Sequence, residues 1–95
     1  MAKGDRLGLP QKLEEKRKAM DCIDRRLLAL LNERLHVALE AGKIKKRMGR
    51  HVYDPKREKE VLHRLSAKNR GPLLEKDLQK IFKTIIKVCR DSQMK

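Results

Sequence analysis

Ninety-five residues suffice for one small domain and leave little room for a large core of its own. A formal net charge of +13 draws anionic partners, yet aromatics are only 2% of the chain, too few for the base-stacking platforms of a nucleic-acid binder. The two cysteines make no disulfide framework, no signal-peptide pattern or membrane-length apolar run is present, and the expected compartment is the reducing cytoplasm, with no membrane partner.

Met1 to Pro10 holds Gly4, Gly8 and Pro10 without an apolar period, which predicts a flexible tail ahead of a helical domain over residues 11–95. A long helix is expected from Pro10 or Gln11 to about Met48, with Gly49 as its stop. Within it, Leu13, Arg17, Met20, Asp24, Leu27, Leu31, Arg34, Ala38, Ala41 and Lys45 alternate steps of four and three and share one seam. Ile23, Leu30, Val37 and Ile44 flank the seam on one side, Leu28 and Leu35 on the other. Charges embedded in so wide an apolar face require partners. The seam carries three cations, Arg17, Arg34 and Lys45, against one acid, Asp24, so the missing negative charge reads as a ligand. A helix over residues 11–48 would be about 57 Å long at 1.5 Å per residue, whereas a compact domain of this size is about 32 Å across. The overhang predicts a second copy to cover it, hence an interlocked homodimer.

Asp54-Pro55 opens a second, short helix, Asp capping the free amides and Pro taking the first helical position. Glu58, Val61, Leu62 and Leu65 define its inner face. Asn69-Arg70-Gly71-Pro72 ends it, and a helix of medium length is expected from about Pro72 to the terminus. Its apolar stripe runs Leu74, Leu78, Ile81, Phe82, Ile85, Ile86 and Cys89, continued one turn later by Gln93. The fold class is therefore all-α, three helices per chain in a homodimeric bundle.

Arg34 and Lys45 stand three turns apart, about 16 Å, and their long side chains can converge on a small molecule between them. Arg17 is about 25 Å from Arg34, too far to share that molecule within one chain, although an antiparallel partner would bring its own copy to the site. Asp54 reads as a helix cap with Arg57 close by. Glu58 either answers the helix dipole or points into a site. Cys89 reads as a small buried core residue, with no neighbouring base to make it a nucleophile. Gln93 is an inward amide in want of a hydrogen-bond partner or a residue of a fraying end. His36, His51 and His63 lack metal-ligand spacing, and no metal is expected.

Arg17 with Ile23-Asp24, the run Leu27 to Arg34, Gly42-Lys43-Ile44-Lys45, Val52 to Glu58, Asn69 to Leu73 and Ile81-Phe82 with Ile85-Ile86 together resemble the all-helical chorismate mutases, over roughly residues 12–94. The resemblance implies a dimer with two identical sites, each roofed by both chains, and the Claisen rearrangement of chorismate to prephenate on the route to phenylalanine and tyrosine. It implies that Arg34, and Arg17 from the partner chain, bind the two substrate carboxylates. Lys45 and Gln93 would bond the ether oxygen; Glu58 and the Asp54 backbone would hold the ring hydroxyl, with Arg57 near and Cys89 beside the ring carboxylate. Family members commonly carry Ser where Cys89 stands, and a thiol is a weaker donor. No cofactor is implied, since a pericyclic shift uses none. The rival readings are an isochorismate pyruvate lyase of the same fold, a basic nucleic-acid-binding module, and a regulatory module of a longer polypeptide.

Overall fold

The structure, a computed structural model, describes residues 2–95, with side chains described from Gly8 onward. Three helices follow in order: α1 (Ala2–Arg47, 46 residues), α2 (Pro55–Lys68, 14 residues) and α3 (Glu75–Gln93, 19 residues). No strand occurs among the described residues, and no helix there is long and apolar enough to cross a membrane. The chain divides into two compact units, Met1–Asn32 and Glu33–Lys95.

The first unit is helix alone. It starts at Ala2 and not near Pro10, so the stretch expected as a tail is helical and Pro10 lies inside α1. A proline in a helix removes one backbone donor, and Gly4 and Gly8 are poor helix formers, but extending a nucleated helix demands far less than starting one. Along this unit Leu13, Met20, Ile23, Leu27, Leu28, Leu30 and Leu31 are between 42% and 62% exposed.

The second unit contains the last turns of α1, then α2 and α3. Gly49 takes φ +69°, the left-handed conformation that ends a helix cheaply in glycine. The Arg50 N–H then donates to the Lys45 carbonyl at 2.8 Å and the Gly49 N–H to the Lys46 carbonyl at 3.1 Å, a Schellman closure. The chain turns back immediately beside Lys45. At α2 the Asp54 carboxylate accepts from the Arg57 N–H at 3.1 Å, with Pro55 in the first turn, as the sequence predicts.

The third helix begins three residues later than expected. Asn69 closes the intervening turn on itself, its side chain donating to the Leu73 carbonyl and accepting from the Gly71 N–H. Gly71 is at φ +75° and Leu74 is extended, so helical backbone cannot start at Pro72. Ser66, Glu75 and Gln79 then tie the two helices: Ser66 donates to Glu75, and Gln79 donates to both. These bonds hold the Glu75 carboxyl below its usual pKa. Leu78, Ile86 and Cys89 of α3 are buried, and Val61, Leu62 and Leu65 of α2 are half-buried.

Leu78, 4% exposed, carries much of this thin core. Leu78→Ala is expected to lower the unfolding free energy by about 2–5 kcal/mol, read from the urea midpoint at constant m-value.

Candidate functional site

The second unit holds a cavity of about 330 Å³, open on one side, whose lining draws on α1, the connection after it, α2 and α3. Arg34, Lys45, Asp54, Arg57, Glu58, Cys89 and Gln93, seven of the residues singled out in the sequence, all contribute to it. Arg17 does not; it lies in the first unit, and the cavity lining belongs wholly to the second. A volume near 300 Å³ with an apolar wall and a few convergent polar groups is the ordinary form of a small-molecule site.

The two seam cations are half-buried, and neither has a carboxylate within ion-pair distance among the described residues. Each is aimed by a neutral acceptor instead. Arg34 Nη1 donates to Cys89 Sγ at 3.2 Å, and Lys45 Nζ donates to the Val52 carbonyl at 3.1 Å. A guanidinium has five N–H donors and an ammonium three, so most of their donor capacity is uncommitted at the cavity wall. Cys89 is therefore buried, as its place on the apolar stripe predicts, and its sulfur accepts from Arg34 and so orients it.

Gln93 is not frayed. Its Nε2 donates to the Ala38 carbonyl on α1, leaving a second amide N–H. The approach is close because residue 42 is glycine: a Cβ built there would stand 3.1 Å from Gln93 Cγ. Glycine thus lets the end of α3 lie against α1.

Glu58 points inward from α2, as the sequence predicts, but its carboxylate is not bare. Arg90 Nη1 donates to both of its oxygens at 2.8 Å, and the Arg90 guanidinium lies 4.7 Å over the Tyr53 ring. The bond to Glu58 raises the Arg90 pKa further above its already high ordinary value. Sequence reasoning missed Arg90. Its partner stands 32 positions away, and the only available signal was that an inward glutamate must find a cation. The lining thus carries four cations, Arg34, Lys45, Arg57 and Arg90, and two carboxylates, Asp54 and Glu58, a formal surplus of two positive charges. No group of acids, histidines and cysteines able to hold a metal ion occurs among the described residues.

A helical domain whose half-buried cations line a small cavity has the form of a small-molecule site built by packed helices. The chain belongs to the family described as chorismate mutase type II, whose model matches residues 16–94. It is similar in structure to a chorismate mutase from Thermus thermophilus, with a TM-score of 0.86 at 37% identity, covering 88% of this chain and 96% of that one. It also resembles a chorismate mutase from Helicobacter pylori in complex with prephenate, with a TM-score of 0.79 at 35% identity, covering 86% and 89% of the two chains. A bifunctional chorismate mutase/prephenate dehydratase from Neisseria gonorrhoeae is 38% identical over 73 residues, which are 77% of this chain and 20% of that protein. The chain spans about a fifth to a quarter of the length of the first such relatives.

Gly42→Val is expected to push the Gln93 amide off the Ala38 carbonyl and to cost about 1–3 kcal/mol through overpacking, measured by urea denaturation and by the Gln93 position in a crystal structure of the variant.

Proposed function

We propose that this chain is an isomerase that converts chorismate to prephenate in phenylalanine and tyrosine biosynthesis. The observation that carries the reading is the pair Arg34 and Lys45: half-buried, without a carboxylate partner among the described residues, and on the wall of one cavity. In the reaction the ether C–O bond breaks as a new C–C bond forms within the same molecule, and no atom is gained or lost. The enzyme therefore needs neither nucleophile nor cofactor. It must fold a flexible dianion so that its reacting carbons meet, and stabilise negative charge growing on the ether oxygen.

Arg34 binds one substrate carboxylate with the donors left over from Cys89, and Arg17 of the partner subunit binds the other. Lys45 and Gln93 supply the donors to the ether oxygen. Glu58 accepts from the ring hydroxyl beside the Asp54 backbone, Arg57 adds positive potential, and Cys89 stands near the ring carboxylate. The partner subunit enters because Ile23, Leu30, Val37 and Ile44 recur every seven residues along α1 and are 49%, 59%, 57% and 58% exposed. An apolar row of that period suits a second copy of the same helix. The free cysteines, Cys22 exposed and Cys89 buried, suit a cytoplasmic location.

A continuous assay of chorismate consumption tests the reaction, with prephenate the expected product; salicylate and pyruvate would instead identify a lyase of isochorismate when that substrate is offered. Lys45→Ala should lower kcat by about 10²–10³ with the fold intact by circular dichroism, as the loss of one preorganised donor does. Arg34→Ala should damage KM and kcat together, because binding and folding the substrate are one act. For the dimer, mixing inactive Arg17→Ala chains with inactive Arg34→Ala chains should return activity through hybrid sites. Subunit exchange without any return of activity would remove Arg17 from the site.

A further inference from the structure

The functional reading leaves Arg90 unused, although it lies on the cavity wall directly after Cys89. Its side chain is 22% exposed, and it is restrained twice. One nitrogen, Nη1, donates to both Glu58 carboxylate oxygens at 2.8 Å, and the guanidinium carbon lies 4.7 Å over the Tyr53 ring. Tyr53 immediately precedes the capping Asp54, so the connection before α2 supplies the platform while α2 supplies the carboxylate. Stacked and paired in this way, the guanidinium has little freedom to swing toward a ligand. It acts on what it holds.

Glu58 poses a problem for a site that takes a dianion. A carboxylate on the wall repels a doubly negative ligand, and at partial burial the repulsion is only weakly screened. Yet a carboxylate has about four lone-pair sites, and two contacts from Arg90 leave room for one more donor such as a hydroxyl. Arg90 also raises the formal positive surplus that this chain gives the lining from one to two, which favours a dianion.

We propose that Arg90 is the positioning residue for Glu58: it fixes the carboxylate in one orientation with a lone pair turned to the substrate hydroxyl, and it cancels the charge that would otherwise oppose dianion binding. The proposal rests on the chorismate reading of the cavity and deepens it, since Arg90 then governs acceptance of a substrate that is both hydroxylated and doubly negative.

Steady-state kinetics on chorismate for Arg90→Met, Arg90→Lys, Glu58→Gln and the double variant Arg90→Met/Glu58→Gln test it, with melting followed by circular dichroism for each. Arg90→Met should raise KM about tenfold and lower kcat severalfold, a modest loss for a charge pair that is partly solvated. Arg90→Lys, which keeps the charge but not the stacked plane, should recover part of the KM and little of the kcat. Adding Glu58→Gln to Arg90→Met should bring KM back to within about threefold of the Glu58→Gln single variant, because no bare carboxylate remains, a non-additive coupling. If Arg90→Met lowers the melting temperature but leaves KM and kcat within twofold of the parent, the pair is only a brace between α2 and α3 and the proposal falls. Additive effects of the two substitutions on KM would also overturn it. A parent chain that is folded but does not consume chorismate overturns the chorismate reading and this proposal with it; an active parent with an indifferent Arg90→Met overturns the proposal alone.

Discussion

The cavity depends on a pair of cations that are held in apolar surroundings without being neutralised. Placing charge beside hydrocarbon costs free energy unless partners replace the lost water. Arg34 and Lys45 meet that cost only partly, through a thiol sulfur and a backbone carbonyl. Such acceptors aim a side chain without cancelling its charge. A carboxylate in either place would have tied up the donors and erased the positive potential. The remaining demand is what an anionic ligand would satisfy, and the site is built so that this demand already exists before anything binds.

Three local devices hold the wall in register around those cations. The left-handed Gly49 turns the chain back so that Val52 returns to Lys45, joining a helix stop to the aim of an ammonium group. Gly42 removes the side chain that would separate α1 from Gln93, so the last turn of α3 is anchored on the Ala38 carbonyl. The Asp54 cap starts α2 where Glu58 faces inward toward Arg90. Each is a feature one or two residues long whose consequence is the placement of a side chain elsewhere, four residues before Gly49, four residues after Asp54 and on another helix for Gly42.

The buried apolar core is small, with Leu78, Ile86 and Cys89 as its hydrophobic members among the described residues. By contrast, α1 exposes apolar side chains along much of its length, and α3 exposes Ile81 and Val88, seven residues apart. A monomer seldom leaves so much hydrocarbon to water. This imbalance is the physical ground for the proposed dimer, in which the first unit contributes Arg17 to the neighbouring chain's site. In that proposed dimer, stability and site assembly would be two aspects of one association.

Period and punctuation along the chain were sufficient to determine three helices, the Asp54 cap, the Gly49 stop and the inward positions of Arg34, Lys45, Glu58 and Cys89, and left Gln93 open between an inward amide and a fraying end. Those features are local, set by a 3.6-residue repeat and by residues with special backbone preferences. Local preference misjudged the starts of α1 and α3, because helix propagation carried the chain through Pro10 while the Asn69 turn withheld residues 71–74. Tertiary structure alone decided that Glu58 meets Arg90 over Tyr53, that Arg34 is aimed by Cys89, and that Gly42 seats Gln93. These pairs are separated by 32, 55 and 51 positions, and no periodicity within one helix encodes which residue of another will face it. Their partners follow from how the helices cross, and that is a property of the packed chain.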